Sequence, residues 1–271
     1  MIDQLVDAVR TRQTILFVGA GVSRSLGLPS WSELIREMAN HLDYDPMVFQ
    51  GYGDYLELAE YYKLKKTSMG SLRSWMDRTW HTDEPRVDES KVHQAIVNLG
   101  CPTIYTTNYD RWLEIAFARR NKSFVKIANV GDFTKIRDGI TQIVKLHGDF
   151  EDDGSLVLTE TSYFERMSFE SPLDIKLRSD SIGRTILFVG YGLSDINIRY
   201  LLYKLRCMWD TSAFAAARPK SFMFLTRPNP VQEAILDRRG IVPIVSEVDD
   251  PTSGLGDFLE RLAREAFGTT S

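Results

Sequence analysis

The stretch Thr14-Ile-Leu-Phe-Val-Gly-Ala-Gly21 is repeated as Thr185-Ile-Leu-Phe-Val-Gly-Tyr-Gly192, with one residue changed in eight. Each copy begins with an apolar run that is typical of a parallel strand buried on both faces. The glycines that follow permit a tight turn and the close approach of a ligand. A strand that leads through a Gly-x-Gly turn into a helix N-terminus can hold a phosphate group. The repeat therefore predicts two strand ends beside one nucleotide crevice, although apolar strands with glycines also recur by chance in α/β proteins.

Composition and charge limit the class of protein. The chain has 271 residues, of which 43% are hydrophobic and 26% charged, enough for one α/β domain with a sizeable insertion. A formal charge of −4 and a pI near 5.7 provide no overall basic surface, so direct nucleic-acid binding is not expected. No apolar run approaches the roughly 18 residues of a membrane span, and the N-terminus does not resemble a signal peptide. We expect a cytoplasmic protein without a membrane partner.

Cysteine and histidine are too sparse for a familiar metal site. Two cysteines, Cys101 and Cys207, cannot form a four-cysteine zinc ribbon and provide no reason to expect a disulfide. No two of the four histidines have the i, i+4 spacing of a helical metal site; they lie at positions 41, 81, 93 and 147. We therefore predict that the protein uses no metal.

Strand-like and helix-like patterns alternate along most of the chain. Strands are predicted at 14–18, 103–107, 124–127, 142–146, 156–158, 185–189, 221–225 and 241–245. Helices are predicted at about 2–11, 31–43, 110–120, 160–168, 172–181, 195–209, 230–238 and 255–266. This alternation predicts an α/β fold with a doubly wound, mainly parallel Rossmann-like sheet. Its ligand crevice should lie at the carboxyl ends of the strands.

Residues 44–99 differ from the rest because they are poor in strand patterns and rich in aromatic side chains. We interpret them as a small helical subdomain inserted into a single catalytic domain that spans 1–271. The aromatic residues have the helical spacing of a core. A base-stacking surface is the alternative, but it would interleave Lys and Arg in a strand pattern.

The segment Gly19-Ala20-Gly21-Val22-Ser23 follows the first strand. Its backbone amides and the Ser23 hydroxyl can hold a pyrophosphate. The usual dinucleotide fingerprint has a third glycine where this chain has Arg24, so a cofactor would be bound in a variant manner. A simple strand-to-helix turn is the alternative.

The segment Thr106-Thr107-Asn108-Tyr109-Asp110 follows the second clear strand. The Asn108 amide at a strand's carboxyl end can orient a sugar hydroxyl or a water molecule. Asp110 is a candidate N-cap for the helix that follows, and this structural role would explain it without catalysis.

The segment Lys145-Leu146-His147-Gly148-Asp149 places a histidine at the mouth of the sheet. Histidine titrates near neutrality and suits general-base work, while Gly148 would leave space for a ligand beside the ring. A purely structural histidine is the alternative.

The repeated strand leads into Gly190-Tyr191-Gly192-Leu193-Ser194-Asp195. Its backbone amides and Ser194 would lie near phosphates or an adenosine ribose. Capping of the helix at 195–209 by Ser194 or Asp195 is the structural alternative.

In this order, the motifs resemble the sirtuin-like family, specifically its bacterial branch of NAD-consuming antiviral-defence domains. Residues 19–29 look like the sirtuin phosphate loop, 106–110 are similar to the Thr-Gln-Asn-x-Asp signature, and His147-Gly148 matches the catalytic His-Gly. The resemblance covers about 14–200. It implies an NAD-binding doubly wound domain with a small helical module.

The resemblance also implies a role for each matched residue. Asn108 would position the attacking water or ribose, and His147 would act as general base. Asp110 would contact the nicotinamide carboxamide. The implied cofactor-binding residues are Gly19, Ala20, Gly21, Ser23, Thr107, Asp110, Gly190, Gly192 and Ser194.

The chain departs from protein-deacylating sirtuins, because it lacks the zinc-ribbon cysteines and has Ser32 where an arginine often stands. The resemblance therefore implies an NAD hydrolase that releases nicotinamide and ADP-ribose and depletes NAD in abortive infection. One alternative is a module that senses NAD or ADP-ribose without turnover. Another is transfer to a macromolecule, by deacylation or ADP-ribosylation.

Unrestrained NAD hydrolysis would kill the host, so we expect the activity to be controlled. By analogy with relatives, we predict a homo-oligomer and a separate regulatory partner such as a HerA-type hexameric ATPase, with an Argonaute protein as the alternative. The aromatic insertion and the C-terminal helix are candidate interfaces, and ordinary core packing is the alternative for both.

Overall fold

The computed structural model describes residues 2–24, 26–81, 86–192 and 196–268. Within these ranges the strands are β1 (Thr14–Val18), β2 (Thr103–Thr106), β3 (Phe124–Ile127), β4 (Thr141–Lys145), β5 (Thr185–Val189), β6 (Ser221–Leu225) and β7 (Ile241–Val245). The α-helices are α1 (Ile2–Arg10), α2 (Ala20–Arg24), α3 (Trp31–His41), α4 (Pro46–Gln50), α5 (Tyr55–Lys66), α6 (Gly70–Trp80), α7 (Arg86–Glu89), α8 (Lys91–Leu99), α9 (Trp112–Arg119), α10 (Glu160–Arg166), α11 (Pro172–Ile182), α12 (Ile196–Asp210), α13 (Pro230–Arg238) and α14 (Pro251–Phe267).

The seven strands form one sheet in the order β3-β4-β2-β1-β5-β6-β7, and every adjacent pair is parallel. The chain winds from β1 to one side and then returns to place β5 on the other side of β1. The order therefore changes direction between β1 and β5, which is where open α/β sheets bind ligands. The predicted α/β, Rossmann-like parallel sheet is confirmed.

The sequence repeat lies at this change of direction. Its two strands pair in register, from Thr14 opposite Thr185 to Val18 opposite Val189. All five residues of β1 and all five of β5 are buried. Identical strands therefore lie side by side at the centre of the sheet, and both deliver their glycines to the same edge.

Alternate residues of these strands face two different hydrophobic cores, as the two-residue period of a strand requires. Leu16 and Leu187 face a core built with α1, α8, α9 and α14. Phe17 and Phe188 face a core built with α11, α12 and α13. Helices cover both faces, which explains why the strands read as continuous apolar runs.

A third hydrophobic core joins α3, α4, α5 and α6 to the segment that follows β4. Phe49, Tyr62 and Trp80 are buried in it, whereas Tyr52 is exposed. Helix α8 instead packs in the first core. The division of the chain into one domain with an inserted subdomain at 44–99 stays a prediction.

Several predicted elements differ in the structure. No strand forms at 156–158, because Val157 bonds only to loop atoms: its N–H donates to the His147 carbonyl (3.0 Å), and its carbonyl accepts from the Tyr109 hydroxyl (2.6 Å). Helix α9 begins at Trp112, and Arg111 occupies the N-cap position that was predicted for Asp110.

Helix α14 begins at Pro251, earlier than predicted, because the Asp250 carboxylate caps it by accepting from Ser253 N (2.6 Å). Within the described part of the chain, every helix is too short or too polar to cross a bilayer.

Candidate functional site

A cavity of about 1130 Å³ lies along the carboxyl edge of the sheet. Its lining includes residues that lie within three positions of the carboxyl ends of five strands: Gly21 after β1, Asn108 after β2, His147 after β4, Gly190 after β5 and Thr226 after β6. The cavity thus spans the change of direction in the sheet, where a ligand is expected.

The two glycine turns interlock at the centre of the cavity edge. Gly19 N donates to the Val189 carbonyl and Gly21 N donates to the Gly190 carbonyl, both at 2.9 Å. Gly190 has φ +62°, and a Cβ atom there would lie 2.6 Å from Val22 N. The Gly19 and Gly21 amides therefore donate their hydrogen bonds to carbonyl groups within the protein. The sequence predicted that they would donate them to a phosphate group of the ligand.

Some of the residues that were predicted to bind the phosphates line the cavity, and others do not. Gly19 and Ser23 are not among the lining residues. Ser194 lies outside the described residues. The predicted residues that line the cavity on this side are Ala20, Gly21, Thr107, Gly190 and Gly192.

Asn108 is held in one orientation by bonds to helix α2 and to the end of its own strand, β2. Its side-chain Nδ2 donates to Ser23 Oγ (3.1 Å), and its backbone N–H donates to Thr106 Oγ1 (3.0 Å). Thr106 Oγ1 in turn donates to the Val18 carbonyl (2.9 Å). Asn108 is 7% exposed and Ser23 is 2% exposed. Ser23 therefore supports Asn108 from below the cavity.

Thr107 and Tyr191 meet across the cavity edge, with their hydroxyl groups 3.1 Å apart. Tyr191 is the one residue that differs between the two copies of the repeat, and its ring also packs edge-on against Phe17. The substitution thus ties the β5 turn to the loop that carries Asn108.

His147 is buried at the cavity wall between the rings of Tyr109 and Tyr163. Burial and the nearby Arg166 guanidinium lower the pKa of His147 to about 3. The expectation that His147 titrates near neutrality is therefore wrong for the folded protein. The imidazole is neutral at physiological pH and can still accept a hydrogen bond or a proton.

Gly148 has a structural task in the turn after His147. Its φ is +88°, and a Cβ atom would collide with the Ser155 carbonyl. The glycine therefore permits close backbone packing, whereas the sequence predicted space for a ligand.

Asp110 lies beneath the cavity and is not among its lining residues. Its Oδ1 accepts from Trp112 N (3.1 Å), so the carboxylate satisfies a helix amide from the residue before the N-cap. Its Oδ2 is buried and has no hydrogen-bond partner among the described residues. Because Asp110 does not line the cavity in this structure, its contact with the nicotinamide carboxamide stays a prediction.

The cavity carries positive charge in a chain of net charge −4. Arg24 and Arg227 are on its lining, while the described lining residues include no Asp or Glu. A lining of this sign suits a ligand with several phosphate charges. Arg227 is the second residue after β6, so its position near the carboxyl end of a strand could have identified it from the sequence.

Aromatic side chains that the sequence did not assign to the site also line the cavity: Trp31, Tyr55, Trp80, Tyr109 and Tyr163. Most come from segments distant from the strand ends, so their sequence positions carry no signal. No cluster of three or more His, Cys, Asp or Glu side chains suitable for a metal occurs in the described ranges. The expected absence of a metal stays a prediction.

The parallel sheet, the paired glycine turns and the cavity at the change of direction define a doubly wound, Rossmann-like α/β protein. A profile of the SIR2-like domain matches residues 102–244, more than half of the chain. The chain therefore belongs to the SIR2-like family.

Its relatives include NAD+ hydrolases. The NAD(+) hydrolase ThsA of Bacillus cereus (strain MSX-D12) is 31% identical over 209 residues, which cover 74% of this chain and 42% of that protein. Defense-associated sirtuin 2 of Bacillus subtilis is 29% identical over 273 residues, which cover 96% of this chain and 26% of that protein. The chain thus spans less than half the length of these relatives.

A solved structure of a SIR2 homologue in complex with NAD aligns with 98% of this chain and 94% of that chain, at 14% identity and a TM-score of 0.47.

Proposed function

We propose that this protein hydrolyses NAD to nicotinamide and ADP-ribose. The observation that carries the proposal is the convergence of Asn108 and His147, from adjacent strand ends, on one cavity whose edge is formed by the two glycine turns. The similarity to NAD+ hydrolases at 29–31% identity supports the same chemistry.

The order of the strands supports a direction for the dinucleotide. His147 and Asn108 follow β4 and β2, the glycine turns follow β1 and β5, and Arg227 follows β6. With about 4.8 Å between neighbouring strands, β4 and β6 lie about 19 Å apart. We place the reacting nicotinamide ribose near β2 and β4, the phosphates at the glycine turns and the adenosine toward β6.

The proposed reaction breaks the bond between the nicotinamide nitrogen and ribose C1′. The bonding electron pair leaves with neutral nicotinamide, and positive charge develops on the ribose. Asn108 orients a water molecule toward C1′, and the neutral His147 imidazole accepts a proton from it. The products are nicotinamide, ADP-ribose and one proton.

We further propose that this activity depletes NAD during antiviral defence in the cytoplasm. The names of the relatives, a NAD+ hydrolase and a defence-associated sirtuin, support this role. A homo-oligomer and a HerA-type ATPase partner, or alternatively an Argonaute protein, are proposed by analogy alone.

The test is nicotinamide release from NAD by the purified protein, alone and with a HerA-type partner. We expect Asn108→Ala and His147→Ala to abolish release while the fold persists. His41→Ala is the matched control, because His41 is the last residue of α3, contacts Tyr62 (2.9 Å) and Glu37 (3.1 Å), and is not among the residues that line the cavity.

Normal turnover in both site variants would overturn the assignment of these residues. NAD binding without release under either condition would favour the sensor alternative. Nicotinamide release that requires a macromolecular acceptor would favour a transferase.

A further inference from the structure

Lys145 is a fully buried lysine at the end of β4, and the proposed reaction does not use it directly. Four oxygen atoms surround its Nζ: the carbonyls of Tyr109 (3.0 Å) and Asp110 (2.7 Å), Glu114 Oε1 (3.1 Å) and Asp149 Oδ1 (3.3 Å). Its side chain is 0% exposed. A buried ammonium group is strongly disfavoured unless it is paired and hydrogen-bonded. These four oxygen atoms provide the pairing and the hydrogen bonds that keep Lys145 charged inside the protein.

The contacts of Lys145 join the two segments that carry the reactive side chains. The backbone ladder between β2 and β4 ends where Leu146 N donates to the Thr106 carbonyl (2.8 Å). Beyond that bond, the chain after β2 turns away through Asn108. The Lys145 ammonium reaches across and binds the backbone carbonyls of the next two residues, Tyr109 and Asp110.

Lys145 also braces the turn that contains His147, because it pairs with Asp149 on the far side of that turn. Asp149 is anchored in its own right: Oδ1 accepts from Phe150 N (2.8 Å), and its other oxygen pairs with Lys126. Burial opposes charge on Asp149, but Lys145 and Lys126 outweigh it and hold the pKa of the carboxyl below its usual value.

We propose that Lys145 is a positioning residue that sets the distance between Asn108 and His147. It ties the loop after β2 to the turn after β4 through its bonds to the Tyr109 and Asp110 carbonyls on one side and to Asp149 on the other. The inference rests on the proposed hydrolase function for its kinetic readout. A shift of about 1 Å in a reacting group can reduce turnover about 10²-fold, so a single buried amine suffices for this role.

The test compares Lys145→Met and Lys145→Arg with the control Lys126→Met. Lys126 also pairs with Asp149, and with Glu151 (2.8 Å), but it makes no bond to the loop after β2. Methionine removes the charge and the donors. Arginine keeps the charge but brings a wide, planar group into a space that fits a compact ammonium.

We expect both Lys145 variants to lower kcat by about 10²-fold with little change in NAD affinity, and Lys126→Met to lower thermal stability with near-normal kcat. We also expect faster amide hydrogen exchange at 107–112 in the Lys145 variants alone. If Lys145→Met does not fold, Lys145→Arg carries the test, because it retains the buried charge. Normal kcat and unchanged exchange at 107–112 in a folded Lys145 variant would overturn the proposal.

The exchange measurement separates the two proposals. A wild-type protein without turnover would refute the hydrolase, while exchange at 107–112 would still report whether Lys145 orders the loop.

Discussion

Replacing Gly190 with alanine tests whether the interlocked glycine turns build the cavity. Two physical terms add at this position. The φ of +62° disfavours a side chain by about 1–2 kcal/mol. The new Cβ would also lie 2.6 Å from Val22 N and 2.8 Å from Val22 Cγ2, and overpacking of this kind costs about 1–3 kcal/mol. We therefore expect Gly190→Ala to lower the free energy of unfolding by about 2–5 kcal/mol.

Gly139→Ala is the matched control for the backbone term. Gly139 also has a positive φ, +80°, but an added Cβ would meet nothing within 4 Å. It should lower the free energy of unfolding by only about 1–2 kcal/mol. Urea unfolding measures both values, and nicotinamide release from NAD should fall in Gly190→Ala alone. Equal stability losses in the two variants, together with normal turnover in Gly190→Ala, would refute the steric argument.

Three further predictions concern buried polar groups. Burial lowers the pKa of His93 to about 4, so its contribution to stability is complete above pH 6.5 and is lost as the pH falls towards 4. When the pH is lowered from 8 to 5, the free energy of unfolding measured by urea titration should therefore fall by about 2 kcal/mol less in His93→Gln than in wild type. An equal pH dependence in the two proteins would contradict this. Because the pKa of His147 is lowered to about 3, kcat/KM for NAD should show no inflection near pH 6.5 in a pH–rate profile; an inflection there would mean that the imidazole titrates normally. Ser23→Ala should lower kcat about tenfold with little change in KM, because the Asn108 amide loses its acceptor, and normal kcat would remove Ser23 from the support of the site.

Part of the cavity edge could be predicted from the positions of polar residues relative to the strands. Parallel strands bring their carboxyl ends to one edge, so a polar residue directly after a buried strand can be assigned to the site from its position alone. Asn108 and His147 were found in this way, and both line the cavity. Ser23 was assigned through the glycine turn that follows β1, but it lies underneath the cavity, where its hydroxyl accepts from Asn108.

The local pattern of residues was sufficient for the parallel strands, the glycine turns and most helices, because hydrophobic periodicity and turn chemistry act over neighbouring positions. It failed at 156–158, where a strand-like run of apolar residues lies in the third core and not in the sheet. An apolar segment of three residues does not specify which surface will bury it.

Long-range packing accounts for what the sequence could not show. The two copies of the repeat are separated by about 170 residues, and their in-register pairing commits their glycine amides to each other. Burial and the Arg166 guanidinium lower the pKa of His147, and the Tyr109 carbonyl accepts a hydrogen bond from Lys145. Both Arg166 and Tyr109 are distant in the chain from the residue that they affect. Burial and charge proximity depend on three-dimensional distance, so residue type and spacing can nominate a reactive side chain but leave its ionisation and its support to the folded chain.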